Sequence, residues 1–193
     1  MHRIEPHASW QALEDHAAAL EAAAEDAVVV ALVREVGRHM ACEIQGDLPG
    51  LMATLTAEPV YHFWGNGDPV VLQGREAVAA FYGDMMSRGG NQFEVVTTKV
   101  VADRGSVVTE GQVKQVYTAD ALRANGIETV GSAAVESSDL WLTCAQLVTV
   151  WPHDGGGKLI GEDIYFGQNP MATLTPVRRD ELPGYHRARE IAA

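Results

Sequence analysis

Residues 46–65, GDLPGLMATLTAEPVYHFWG, decide the fold. Gly46-Asp47 ends the helical pattern before it, and Asp47 caps a short helix through Pro49, Leu51, Met52 and Leu55. Residues 58–64, EPVYHFW, then read as a strand, β-branched and aromatic. The turn cluster Gly65-Asn66-Gly67-Asp68-Pro69 closes it. Within twenty residues the hydrophobic period changes from that of a helix to that of a strand.

Upstream, Val29, Leu32, Val33, Val36, Met40 and Ile44 recur at helical spacing and predict a helix over 27–45. An Ala- and Glu-rich helix over 10–24, capped by Ser9, precedes it. Downstream, a short strand over 70–72 is followed by a helix opened by Gly74, with Val78, Phe81, Tyr82 and Met85 on one face. That helix ends near Gly89-Gly90. Long strands follow over 92–102, 106–118, 140–151 and 158–166, and the Gly-rich turn 154–157 is a hairpin signal. Residues 119–137 have no clear pattern. A tail from Gln168, with prolines at 170, 176 and 183, reads as surface coil with short helical pieces. Helices, a hairpin, a helix and then four strands predict an α+β fold with an antiparallel sheet. A curved sheet closed by helices leaves an apolar cavity of several hundred cubic ångströms at its mouth.

The chain has 193 residues with 47% hydrophobic and 21% charged, the composition of one ordinary globular domain. A net charge of −12 repels phosphate backbones and anionic lipid, so neither nucleic acid nor membrane is expected as a partner. The longest apolar run is 27–33, and 1–10 lacks the apolar region of a signal peptide, so a cytoplasmic location is expected. Cys42 and Cys144 lie too far apart in sequence for a close ligand pair and read as buried free thiols. His2 and His7, like His153 and His186, lack metal-ligand spacing. No phosphate loop, dinucleotide fingerprint or nucleophile elbow is present.

Four phrases in this order resemble the nuclear transport factor 2-like superfamily in its SnoaL-like, polyketide cyclase-type branch. They are 46–65, QGREAVAAFY (73–82), VVADRGSVVTEG (100–111) and GGKLIGEDIYFG (156–167). The resemblance implies a cone: a curved antiparallel sheet wrapped around a long helix over one deep apolar pocket. It divides the chain into an N-terminal helical extension (1–26), a cone domain (27–167) and a C-terminal tail (168–193). It also implies no cofactor and a homodimer paired through the outer sheet face, with strand 140–151 contributing.

Within that frame, the polar residues on otherwise apolar faces are the candidates for chemistry. His39 flanks the apolar face of the long helix, where steroid isomerases of this fold present a tyrosine. Strand alternation puts Tyr61 and Phe63 on one face, His62 and Trp64 on the other, unless a bulge reverses it. Tyr61 matches a tyrosine with which related epoxide hydrolases hold water. Only one of Glu162 and Asp163 enters the cone, and the resemblance favours Glu162, with Ile164 and Phe166 beside it. Thr109, Val113 and Tyr117 share a face, as do Trp141 and Trp151, while Glu110, Gln112 and Lys114 face outward. Catalytic candidates are therefore Tyr61, His39, His62 and Glu162. Substrate-binding candidates are Phe63, Trp64, Thr109, Tyr117, Trp151, Ile164 and Phe166. His16 and His153 are expected on the surface.

Two departures bear on activity. Ile164 stands where epoxide hydrolases of this fold keep an aspartate, and Gly111-Gln112-Val113 replaces their Arg-x-Asp. Phe63 and Leu147 stand near the two aspartates of the steroid isomerases. The expected function is a cofactor-independent acid/base lyase acting on a small apolar, aromatic substrate, such as a lignin-derived diaryl compound. The alternatives are an isomerase, dehydratase, cyclase or epoxide hydrolase of this fold, or a non-catalytic ligand-binding or dimerisation module. Convergence of a tyrosine, a histidine and a carboxylate inside a closed pocket separates enzyme from binder.

Overall fold

The computed structural model describes residues 3–65, 67–136 and 139–183. His2, His186 and the tail beyond 183 lie outside them, so the sequence reading of those positions has no structural counterpart. In chain order the helices and strands begin with α1 (Ala8–Ala22), α2 (Ala27–Gln45), α3 (Leu48–Ala53), β1 (Leu55–Trp64) and β2 (Val70–Gln73). Next come α4 (Gly74–Ser87), β3 (Phe93–Ala102), β4 (Ser106–Thr118), α5 (Ala119–Ala124), β5 (Thr129–Val130) and β6 (Ala133–Ala134). β7 (Leu140–Pro152), β8 (Leu159–Phe166) and β9 (Thr175–Val177) complete the set.

The main sheet runs β2-β1-β8-β7-β4-β3, with β9 added along β7. Its neighbours are antiparallel except β1 and β8, which run parallel. The exception follows from the hairpin at 154–157. Asp154 Oδ1 accepts from the Gly156 and Lys158 amides, which turns β7 tightly back as β8 and inserts it between β7 and β1. Register shifts between Leu55 and Val60 of β1, and between Thr97 and Lys99 of β3, bend the sheet around α2. At the first bend Gly161, with φ 155°, lies against the backbone of Val60, where a Cβ would collide. Only glycine fits there, and it sets the direction of the next side chain, Glu162.

Asp26 caps α2 by accepting from the Val28 amide, and Gly46 ends it in the left-handed conformation. Its buried stripe of Val30, Val33, Val36 and Met40 packs with Tyr61, Val95, Val107 and Trp151 of the sheet into one core. Each such side chain contributes roughly 1.5–3 kcal/mol on full burial. α1 packs across α2 through Leu13 and Ala17, with Leu13 against Gly37.

Several expectations change. Ser9 does not cap α1; it lies inside the helix and its hydroxyl accepts from the Val95 amide. That bond occupies a donor on β3, which ends the sheet. Part of 119–137 forms α5 and a small β5-β6 hairpin, which cover one end of the cone with Trp141 beneath. The tail adds a strand as well as coil, and Ile4, Leu140, Leu142, Val177 and Leu182 form a second core outside the cone. His153 is buried, and the free thiols of Cys42 and Cys144 are only half-buried. Their sequence neighbours gave no sign of either.

Candidate functional site

The concave face of the sheet, α2 and α4 enclose a cavity of about 400 Å³. An apolar cavity of about 150 Å³ takes one benzene, so this one has room for a substrate larger than a single ring. Phe63, Phe81, Phe93, Tyr117, Trp151 and Phe166 supply aromatic walls. Met40, Met85, Leu147 and Ile164 fill between them. Asp84 and Arg88 also border it, as an exposed ion pair at 2.8 Å.

One part of the wall is polar, and its geometry begins with Thr54. The Thr54 hydroxyl donates to the Leu51 carbonyl at 2.6 Å. Its proton is therefore committed, and the His39 Nδ1 that lies 2.6 Å away must be the donor to Thr54. This fixes the imidazole tautomer, and Nε2 faces Glu162 Oε1 at 3.1 Å. The Tyr82 hydroxyl donates to the same Oε1 at 2.7 Å. Tyr61 lies 3.4 Å from His39 Nε2 and 3.5 Å from the Tyr82 oxygen. His39, Thr54 and Tyr61 are fully buried, and Glu162 is 4% exposed.

Burial, and then the charge of Glu162, push both phenols well above the usual tyrosine range. Both therefore stay protonated and act as donors. Trp151 holds the other side of the imidazole edge-on, ring centres 5.6 Å apart, and its indole N–H donates to Thr109 at 3.0 Å. Thr54 thus fixes the imidazole with an unprotonated Nε2 turned toward Glu162 and Tyr61, and the Glu162 carboxylate on the cavity wall is anchored by the Tyr82 hydroxyl.

The sequence candidates divide accordingly. Glu162, Phe63, Tyr117, Trp151, Ile164 and Phe166 line the cavity. His39 and Tyr61 stand behind that wall, in contact with the lining residues Glu162 and Tyr82. Thr109 is buried behind Trp151. His62 and Trp64 do not face the cavity. The strand keeps regular alternation through them, so His62 pairs outside with Asp163 at 2.6 Å. His62 also stacks on Trp64, which stacks on Tyr165.

Three site residues were missed. Tyr82 lies on the apolar face of α4, where the helical pattern marks its ring but not its hydroxyl. Thr54 precedes β1 with no motif to mark it. Glu43 follows His39 by one helical turn, a spacing that puts both on one face of α2; it also lines the cavity. Burial and the charge of Glu162 push the Glu43 carboxyl well above the ordinary carboxylate range. His39, Glu43 and Glu162 each offer a ligand atom within 4.8 Å of the others.

Comparison with solved structures shows the same fold. Bal32a, from a soil-derived mobile gene cassette, is 18% identical over 76% of this chain and 96% of its own, with a TM-score of 0.54. An epoxide hydrolase of M. tuberculosis, described as LEH-like, is 19% identical over 76% and 86%, with a TM-score of 0.53. SalBIII, an epoxide hydrolase/cyclase-like enzyme of pyran ring formation in salinomycin, is 13% identical over 76% and 95%, with a TM-score of 0.51. No curated protein matches by sequence. The model of the SnoaL-like domain matches residues 36–134, just over half of the chain. With the cone, its helix and its cavity in place, the chain belongs to the SnoaL-like domain family.

Proposed function

We propose that the protein is a cofactor-independent acid/base lyase acting on a small apolar, aromatic substrate, with Glu162 as the base. The observation that carries this reading is the placement of Glu162. It is a buried carboxylate on an aromatic cavity wall, held by Tyr82 at 2.7 Å and facing His39 at 3.1 Å. A carboxylate so placed removes a proton from a bound carbon acid with little solvent to compete for it. His39 and Tyr61 position it and adjust its basicity without touching the substrate. The phenol of Tyr82, on the wall itself, steadies the carboxylate before the proton is taken and is free to turn toward an oxyanion afterwards.

Two facts favour elimination over hydrolysis. Ile164 lines the cavity where epoxide hydrolases of this fold keep an aspartate, so the acid of their water-activating pair is absent at that position. The lining is otherwise mostly aromatic and aliphatic, which suits an aryl substrate. A homodimer through the outer sheet face is part of the same proposal. Turnover of a panel of aryl and polyketide-like compounds, read by mass spectrometry, tests the reading. The expected result is cleavage without added metal or nucleotide, lost in Glu162→Gln. Tight binding of panel members with no product at any pH contradicts it and supports the binding-module alternative.

A further inference from the structure

Glu43 has no role in the account above, yet its carboxyl borders the cavity and has no hydrogen-bond or ion-pair partner among the described residues. An unpartnered carboxyl beside a carboxylate in an apolar cleft needs an explanation. Its oxygen, the Glu162 oxygen and His39 Nε2 all lie within 4.8 Å of one another. Among the described residues no lysine or arginine is paired with either carboxyl. Arg88, the cation on the cavity lining, is engaged by Asp84 at 2.8 Å, and Lys114 is engaged by Glu94 at 3.2 Å. The other groups facing the pair are the phenols of Tyr82 and Tyr61. Tyr82 already donates to Glu162.

We propose that Glu43 is the proton donor of this cavity: a neutral carboxylic acid held beside the Glu162 carboxylate, the pair carrying one proton between them. The proposal rests on Glu162 as base and adds the acid and the substrate class. Two carboxyls this close in a site of low polarity do not both ionise. Glu162 has the Tyr82 donor to stabilise its charge; Glu43 has no such partner, so the proton stays on Glu43. Desolvation and repulsion act in the same direction on it.

The step balances within the pair. Glu162 takes a proton from carbon, the C–H electrons form the double bond, and the adjacent C–O bond breaks. The departing oxygen takes the proton of Glu43. The products are an alkene and an alcohol or phenol. Glu162 is then protonated and Glu43 ionised, and one proton transfer from Glu162 to Glu43 restores the starting state. The substrate class is therefore one with an oxygen leaving group next to an acidic C–H. Because acid and base share one stretch of wall, both bonds break on the same face of the substrate.

Infrared spectroscopy of the intact protein at neutral pH reads the acid directly and requires no substrate. The carbonyl band of a protonated carboxylic acid is expected in the wild type and absent in Glu43→Gln. If Glu43→Gln fails to fold, Glu43→Met, apolar and of similar length, replaces it. Absence of the band from the wild type, or its persistence in the variant, overturns the proposal. Stoichiometric binding of added Zn²⁺ or Mg²⁺ that abolishes the band also overturns it, by making the trio a cation site. β-Alkoxy and β-aryloxy ketones serve as kinetic probes. Glu43→Gln should lose roughly 10²-fold on alkoxide leaving groups and under about tenfold on the less basic phenoxides. Equal losses on both overturn the acid role, while failure of the wild type on every probe bears on the lyase reading and leaves the infrared result standing.

Discussion

Tyr82 on α4 and Glu162 on β8, 80 residues apart in the chain, meet in a 2.7 Å hydrogen bond with the phenol donating. The bond joins the helix that closes the cone to the strand that carries the proposed base. Tyr82→Phe removes one hydroxyl and leaves the ring. A buried bond to a charged acceptor contributes about 1.5–3 kcal/mol, so a clear fall in melting temperature is expected, with a lower turnover number. A variant as stable and as active as the wild type would show that this bond does not hold Glu162.

His39 and His62 should respond in opposite ways. His39→Gln breaks the contacts to Thr54 and Glu162 in the interior, and turnover should fall by about tenfold or more. His62→Ala alters the half-exposed pair with Asp163 and the stack on Trp64, both on the outer face, and should leave turnover unchanged. Kinetics of the two variants side by side decide the matter, and a loss confined to His62→Ala would reverse the assignment.

Stability should depend on pH through Glu43. Its carboxyl is held above its ordinary value of 4.5 in the folded chain by burial and the charge of Glu162. Unfolding between that value and the folded one releases a proton, so stability falls as pH rises through the window. Thermal melts from pH 4.5 upward should show this decline in the wild type, and Glu43→Gln should flatten it. An identical slope in both would place the titration elsewhere.

The outer face carries the ladder of His62, Trp64 and Tyr165, with Tyr165 43% exposed. Pairing of two chains there gives a particle of two 20.8 kDa chains in light scattering. Trp64→Glu should shift the mass toward one chain. A single-chain mass for the wild type would contradict the homodimer.

The fold was legible where local chemistry and packing agree. The helix expected at 27–45 matches α2 at both ends, because a capping Asp26 and a left-handed Gly46 fix them. β4 likewise keeps the expected 106–118 limits. The parallel contact of β1 with β8 was not legible, since nothing in either strand records its neighbour across the sheet. Of the site, alternation separated Tyr61 from His62, and the resemblance chose Glu162 over Asp163; the structure buries Tyr61 and puts Glu162 on the cavity wall. Thr54 and Tyr82 escaped notice because their roles arise from hydrogen bonds between elements, which carry no sequence period. Glu43 was within reach: it repeats His39 one turn on, but acids on helices are so often solvated that spacing alone gives no reason to single one out.

The turnover number of Glu162→Gln, on a compound the wild type cleaves, tests the central claim most directly. Glutamine keeps the shape and still accepts from Tyr82 but takes no proton. The account predicts a loss of roughly 10²–10⁴-fold, the range for a positioned general base, with the fold retained by circular dichroism. A folded Glu162→Gln protein with wild-type turnover would contradict it.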